Sequence, residues 1–249
     1  MGEAEREGWR REAAARRSGG QIGVRNGEME GRPTERRARV DYSLYLVTDT
    51  ALSKGRPLLE VVGAAVDGGA TCVQVREKDL PPREYVERLR PVRALLWERG
   101  IPLFVNDRVD IALAVEADGV HLGQTDLPLS LARRIADDRL IVGISCEAPP
   151  DAVEAERGGA DYVSVSPVFA TPTKTDTAPA LGLDGVRAVR AAVRVPVVAI
   201  GGINADNAAE VIRAGADGIC VVSAIVSAAD PRAAAATLRD IVERARHGA

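Results

Sequence analysis

Aromatic residues, histidine and cysteine are all scarce in this sequence, and each scarcity removes a class of function. Only 3% of the 249 residues are aromatic while 46% are hydrophobic, so the interior has to be built from Ala, Val, Leu and Ile. That palette suits parallel strands buried on both faces and the helices that cover them. Two histidines, His121 and His247, give poor support to a multi-histidine metal site or a Ser-His-Asp hydrolase. The three cysteines, Cys72, Cys146 and Cys220, lack Cys-x-x-Cys spacing and read as reduced thiols in or near the core of a cytoplasmic protein. No apolar run approaches the roughly 20 residues that span a bilayer, so no membrane partner is expected. A net charge of −3 gives no general attraction to nucleic acid.

Large apolar residues are also few in residues 1–40, which hold ten Arg, seven Glu and no Lys. Such a segment buries too little surface to offset its ordering entropy, and a disordered charged extension is expected. It has no apolar stretch of the kind a secretory signal needs, and its many Glu argue against a transit peptide. Setting those ten Arg and seven Glu aside leaves residues 41–249 with a net charge of about −6. A chain of this size buries roughly three quarters of its unfolded surface.

From Asp41 onward, short apolar runs alternate with amphipathic stretches such as 83–99 and 183–193. The runs are 44–47, 71–75, 102–105, 119–122, 140–144, 162–165, 196–200 and 218–222. Eight parallel strands are what a closed barrel needs, so the fold expected is α/β, a single (β/α)8 TIM barrel over 41–249. A doubly wound sheet is the alternative, disfavoured because no dinucleotide fingerprint follows the first run. The phrases Gly69-Ala70-Thr71, Ala117-Asp118-Gly119, Gly159-Ala160-Asp161 and Gly215-Ala216-Asp217 each precede a strand. They belong to the bottom of the barrel, where stability rather than chemistry is expected.

Barrel enzymes place their chemistry at the C-terminal ends of the strands. Strand 2 runs into Gln74, Arg76 and Lys78, which alternation puts on one side, with Val75 and Glu77 on the other. An amide and two cations at the barrel mouth suit a polyanion, because Arg grips phosphate oxygens bidentately and Lys supplies a compact charge. A salt-bridged strand end is the competing reading. Strand 3 leads to Asn106-Asp107 and strand 4 to Gly123-Gln124-Thr125-Asp126. Asp107 and Asp126 can face each other as a Mg2+ pair, or each can cap the helix that follows it. The neighbouring cations favour the metal, since metal, cations and diphosphate explain one another. Ser145 after strand 5 can bond phosphate or cap a helix at 149–156. The long loop after strand 6 carries Thr171, Pro172, Thr173 and Lys174, and loops of that length are usually functional. Gly201-Gly202 after strand 7 and Val222-Ser223 after strand 8 have the order of the backbone phosphate site of many barrels. Two anion regions predict two phosphorylated small-molecule substrates, one of them a diphosphate.

These phrases, together with Tyr45-Leu46-Val47-Thr48-Asp49, Gly119-Val120-His121-Leu122-Gly123-Gln124-Thr125-Asp126 and Ala199-Ile200-Gly201-Gly202-Ile203, resemble the thiamine-phosphate synthase family from residue 42 to about 230. The resemblance implies joining of hydroxymethylpyrimidine diphosphate to a thiazole phosphate with release of diphosphate. It implies that Gln74, Val75, Arg76, Glu77, Lys78, Asn106, Ser145 and Lys174 contact the pyrimidine diphosphate, with Arg76, Lys78, Ser145 and Lys174 serving catalysis. It implies that Asp107 and Asp126 hold Mg2+, and that Thr171, Pro172, Thr173, Gly202, Val222 and Ser223 contact the thiazole phosphate. A homo-oligomer is compatible with the sequence. Two rivals stay open: a thiazole tautomerase, which would not need both aspartates and the Gln-x-Arg-x-Lys strand end, and a non-catalytic sensor of thiamine precursors.

Overall fold

A computed structural model describes residues 40–171 and 179–248. Eight parallel strands close into a barrel in sequence order. They are β1 Leu44–Val47, β2 Cys72–Val75, β3 Leu103–Asn106, β4 Gly119–Leu122, β5 Ile141–Cys146, β6 Tyr162–Val165, β7 Val197–Ile200 and β8 Gly218–Val221. The ring is closed by β8 pairing with β1, Leu44 opposite Ile219 and Tyr45 opposite Cys220, which excludes the doubly wound alternative. The covering helices among the described residues are α1 Leu58–Asp67, α2 Pro82–Arg99, α3 Val109–Ala114, α4 Leu129–Ala136, α5 Pro149–Arg157, α6 Gly182–Ala192, α7 Ala208–Arg213, the short α8 Ser223–Val226 and α9 Pro231–His247. No described helix is long and apolar enough to cross a membrane. Of the extension expected over residues 1–40, residues 1–39 lie outside the described residues, and Val40 packs against the interior of the barrel.

Strand boundaries differ from the apolar runs for physical reasons. Pro102 and Pro196 have no N–H to give and contribute only carbonyls, which accept from Val73 (3.1 Å) and Val163 (3.0 Å). β5 runs two residues further than its apolar stretch, because Ser145 and Cys146 still pair with Ser164 and Val165.

Two cores result. Between sheet and helices lies an aliphatic layer of Val, Leu, Ile and Ala from every strand. Inside the barrel the scarce aromatics collect. Tyr42, Tyr45, Phe104 and Tyr162 pack with Cys72, Cys220, Ile141 and Val198, at ring separations of 4.8 Å (Tyr42–Tyr162), 5.4 Å (Tyr45–Phe104) and 5.7 Å (Phe104–Tyr162). Half of the chain's eight Phe, Tyr and Trp residues thus plug the barrel. Glycines on adjacent strands make room for them. A Cβ at Gly119 would overlap the Phe104 ring, and one at Gly143 would overlap the Tyr162 ring. This is the large-against-small packing that fills a narrow barrel. All three cysteines are free and buried, as expected.

The repeated phrase at the bottom of the barrel is a strand clamp. Asp118, before β4, accepts from the Leu103 N–H at the start of β3 (2.9 Å). Asp161, before β6, accepts from Val142 of β5 (2.7 Å), and Asp217, before β8, accepts from Val197 of β7 (2.7 Å). Thr71, before β2, does the same for Leu44 of β1 (3.0 Å). Each polar side chain satisfies a backbone donor that the ladder leaves unpaired.

Candidate active site

With the lower barrel plugged, the open space lies at the C-terminal ends of the strands. A cavity of about 560 Å³ there is lined by all eight strand ends, a volume ordinary for a small-molecule site. Gln74, Arg76, Lys78, Asn106, Asp107, Asp126, Ser145, Thr171, Gly202, Val222 and Ser223 all line it. Val75 and Glu77 do not. Val75 is buried in the sheet–helix layer, where its carbonyl accepts from Tyr85 Oη (2.7 Å). Glu77 pairs with Arg88 (3.1 Å) and accepts from Thr50 Oγ1 (2.6 Å). The alternation expected from the sequence therefore holds beyond the end of β2. Pro172, Thr173 and Lys174 lie outside the described residues.

The cationic wall is braced. Arg76 Nη1 pairs with Asp49 Oδ2 at 2.9 Å, and the Arg76 N–H donates to Thr48 Oγ1 (3.2 Å). Asp49 in turn accepts from the Leu52 N–H (3.1 Å). The strand end is salt-bridged and faces the cavity at once, so the two readings of the sequence both describe it.

The acidic pair stands beside it, after β3 and β4. Asp107 has a left-handed backbone, φ 63°, uncommon for a residue other than Gly. That conformation costs on the order of 1–3 kcal/mol and recurs at functional positions. Its carboxyl does not cap α3, which starts after Arg108 with no side-chain cap. Asp126 does not cap α4 either, since its Oδ2 accepts from the Gly123 N–H (2.7 Å) and Pro128 occupies the cap position. Burial first, then hydrogen bonding to and repulsion from Asp126, push the Asp107 pKa up to about 7, against the opposing pull of Lys78 and Arg76. Two crowded carboxylates of this kind are relieved by a divalent cation.

Ser145 is likewise free of capping duty. At the start of α5, Asp151 Oδ2 accepts from the Glu147 and Ala148 N–H groups (2.9 Å each). Ser145 Oγ instead meets His121 Nε2 at 2.9 Å. His121 Nδ1 meets Tyr162 Oη at 2.9 Å, Tyr162 meets Tyr45 Oη at 3.0 Å, and Gln74 Nε2 donates to Tyr45 Oη at 3.1 Å. Burial holds the His121 pKa down at about 4, so the imidazole is neutral near pH 7.

On the far side, Gly201 (φ 106°) and Gly202 (φ 65°) turn the chain after β7. A Cβ would fall 2.6 Å from Pro167 Cβ at Gly201 and 2.8 Å from the Ala170 carbonyl at Gly202, so both conformation and space require glycine. Asn207 Nδ2 donates to the Gly202 carbonyl (3.0 Å) and fixes that turn.

Comparison with known proteins decides the family. The family model described as thiamine monophosphate synthase matches residues 44–225. A thiamine-phosphate synthase from Moorella thermoacetica is 54% identical over 205 residues, covering 82% of this chain and 98% of that protein. The chain belongs to the thiamine monophosphate synthase family. A second relative, the thiamine-phosphate synthase of Chloroflexus aurantiacus, is 55% identical over 203 residues, 82% of this chain and 94% of that one. The solved thiamine phosphate pyrophosphorylase from Pyrococcus furiosus superposes with a TM-score of 0.78 at 46% identity, covering 84% of this chain and 98% of that one. The chain is therefore a transferase-type enzyme of thiamine biosynthesis on a TIM barrel. Family phrases pointed to the cavity walls, but reasoning from residue types passed over Asp49, Tyr45, His121, Tyr162 and Asn207. For His121 and Tyr162 an inward strand position was the available signal.

Proposed function

We propose that the protein joins 4-amino-2-methyl-5-hydroxymethylpyrimidine diphosphate to 4-methyl-5-(2-phosphooxyethyl)thiazole, giving thiamine phosphate and diphosphate. The observation that carries this reading is one cavity holding braced cations, a crowded aspartate pair and a glycine-turned backbone wall. A single cavity with two anion regions suits two phosphorylated partners whose reacting atoms must meet.

The chemistry follows from the substrates. The C–O bond between the pyrimidine methylene carbon and the diphosphate breaks, and its electron pair leaves with the diphosphate. The aminopyrimidine ring stabilises the resulting cation, and the thiazole nitrogen lone pair then forms the new C–N bond. No covalent nucleophile is required. Arg76 and Lys78 neutralise charge growing on the departing oxygen, and Asn106, Ser145 and the expected Lys174 contribute further donors. Gly202, Val222 and Ser223, with Thr171, hold the thiazole phosphate so that its ring nitrogen faces the carbon. Asp107 and Asp126 would hold Mg2+, which supplies charge neutralisation at the diphosphate. The raised Asp107 pKa fits that role, since a bound cation offsets the crowding of two carboxylates.

The test is diphosphate release with both substrates, with each alone, and with chelator. Release is expected only with both substrates, lost on chelation and restored by Mg2+. Asp107→Ala should lose turnover by orders of magnitude with the barrel still folded. Near-normal rates in Asp107→Ala, or undiminished release in chelator, would sink the metal assignment. Isomerised thiazole without diphosphate release would favour a tautomerase.

A further inference from the structure

The family resemblance sets Gln74 and Ser145 against the pyrimidine diphosphate, and the proposed mechanism gives no role to the three polar groups buried between them. We infer that Tyr45, Tyr162 and His121 form a positioning relay that locks the donor sense of the Gln74 amide to that of the Ser145 hydroxyl. This rests on the proposed function for its ligand, though not for its geometry.

The chain runs without a gap: Gln74 Nε2 to Tyr45 Oη (3.1 Å), Tyr45 to Tyr162 (3.0 Å), Tyr162 to His121 Nδ1 (2.9 Å), His121 Nε2 to Ser145 Oγ (2.9 Å). Tyr45 and Tyr162 are 1% and 0% exposed, so an unpaired phenol hydrogen there would be costly. Each hydroxyl has one hydrogen, and a neutral imidazole has one donor and one acceptor nitrogen. Only two proton orders then put one hydrogen in each of the four contacts, and they are mirror images. If Gln74 donates, Tyr45 donates to Tyr162, Tyr162 donates to Nδ1, and Nε2–H donates to Ser145. If Ser145 donates, every arrow reverses and the Gln74 amide must turn its oxygen to Tyr45. One end cannot change sense without the other unless one of the four hydrogen bonds is broken.

Nε2 of Gln74 is turned toward Tyr45, the orientation that belongs to the first order. Gln74 then keeps its oxygen and second N–H for the ligand. That pair matches the amino donor and adjacent ring-nitrogen acceptor of an aminopyrimidine, as a Gln amide matches the adenine edge. Ser145, already accepting from His121, is left to donate, which suits a ring nitrogen or a phosphate oxygen and rejects a donor. The relay thereby makes the floor of the pocket read polarity at two places as one unit.

Nitrogen-15 NMR of protein labelled at its two histidines tests the order directly and needs no substrate. His121 should be the Nε2–H tautomer; the Nδ1–H tautomer reverses the chain and overturns the assignment. A double-mutant cycle tests the lock. Gln74→Ala and Ser145→Ala should raise KM for the pyrimidine diphosphate non-additively, by a factor of at least about three, leaving KM for the thiazole phosphate unchanged. In a Tyr162→Phe background of matching melting temperature, that coupling should vanish. Additive effects in the parent, or coupling that survives Tyr162→Phe, would show that no relay links the two ends. Failure of the parent to make thiamine phosphate would count against the proposed function alone, because the tautomer is read independently.

Discussion

Asp107 carries two costs at once, a left-handed backbone and a carboxyl crowded by Asp126. Its pKa of about 7 in the metal-free protein, against 3.8 ordinarily, has a definite consequence for stability. A carboxyl with a raised folded-state pKa favours the fold while protonated, and that favour is lost as pH rises from about 4 through about 7. In chelator, the melting temperature of Asp107→Asn should therefore gain on the parent across that window. Adding Mg2+ should then stabilise the parent selectively, since a ligand stabilises the state that binds it. A gap independent of pH would show that burial and Asp126 do not raise the Asp107 pKa. Arg76 presents the opposite case, a cation whose direction is fixed by its pairing with Asp49.

At the scale of elements, the same strands are clamped below and carry the cavity above. Asp161 serves both Val142 and Arg133 at the bottom of the barrel. Asp161→Ala should cost about 1.5–3 kcal/mol, the range for hydrogen bonds to a charged group, and leave kcat unchanged. Urea unfolding with parallel kinetics checks both halves. Gly143→Ala should cost at least about 1–3 kcal/mol by overpacking, because Tyr162 fills the space a methyl would need. An unchanged midpoint would mean the aromatic plug is looser than it looks. Apolar runs and Gly-Ala-Asp turns made these strands legible, since each buried strand must be nearly all aliphatic. The apolar run of strand 5 stops at Ile144 because Ser145 is polar, though the backbone of Ser145 and Cys146 still belongs to the ladder. The relay was not legible, because His121 and Tyr162 sit on β4 and β6, strands that do not pair, and only closure brings them together. Alternation did place Arg76 and Lys78 inward and Glu77 outward, since that periodicity is local.

The whole molecule divides its labour along the barrel axis: stability at the bottom, an aromatic plug in the middle, charge at the top. Val40 packs against the plug, so a deletion that tests the charged extension should stop at residue 39. Removing residues 1–39 should leave melting temperature and kcat/KM nearly unchanged, because their composition offers little to bury. A large drop in either would mean the extension docks on the barrel. The central claim concerns the top of the barrel and has a direct test. Purified protein is mixed with the aminopyrimidine diphosphate, the thiazole phosphate and Mg2+, and thiamine phosphate and diphosphate are quantified together. Equal amounts of the two products are predicted, and neither should form when one substrate is left out. Binding of both substrates with no product would contradict the account and leave a sensor of thiamine precursors in its place.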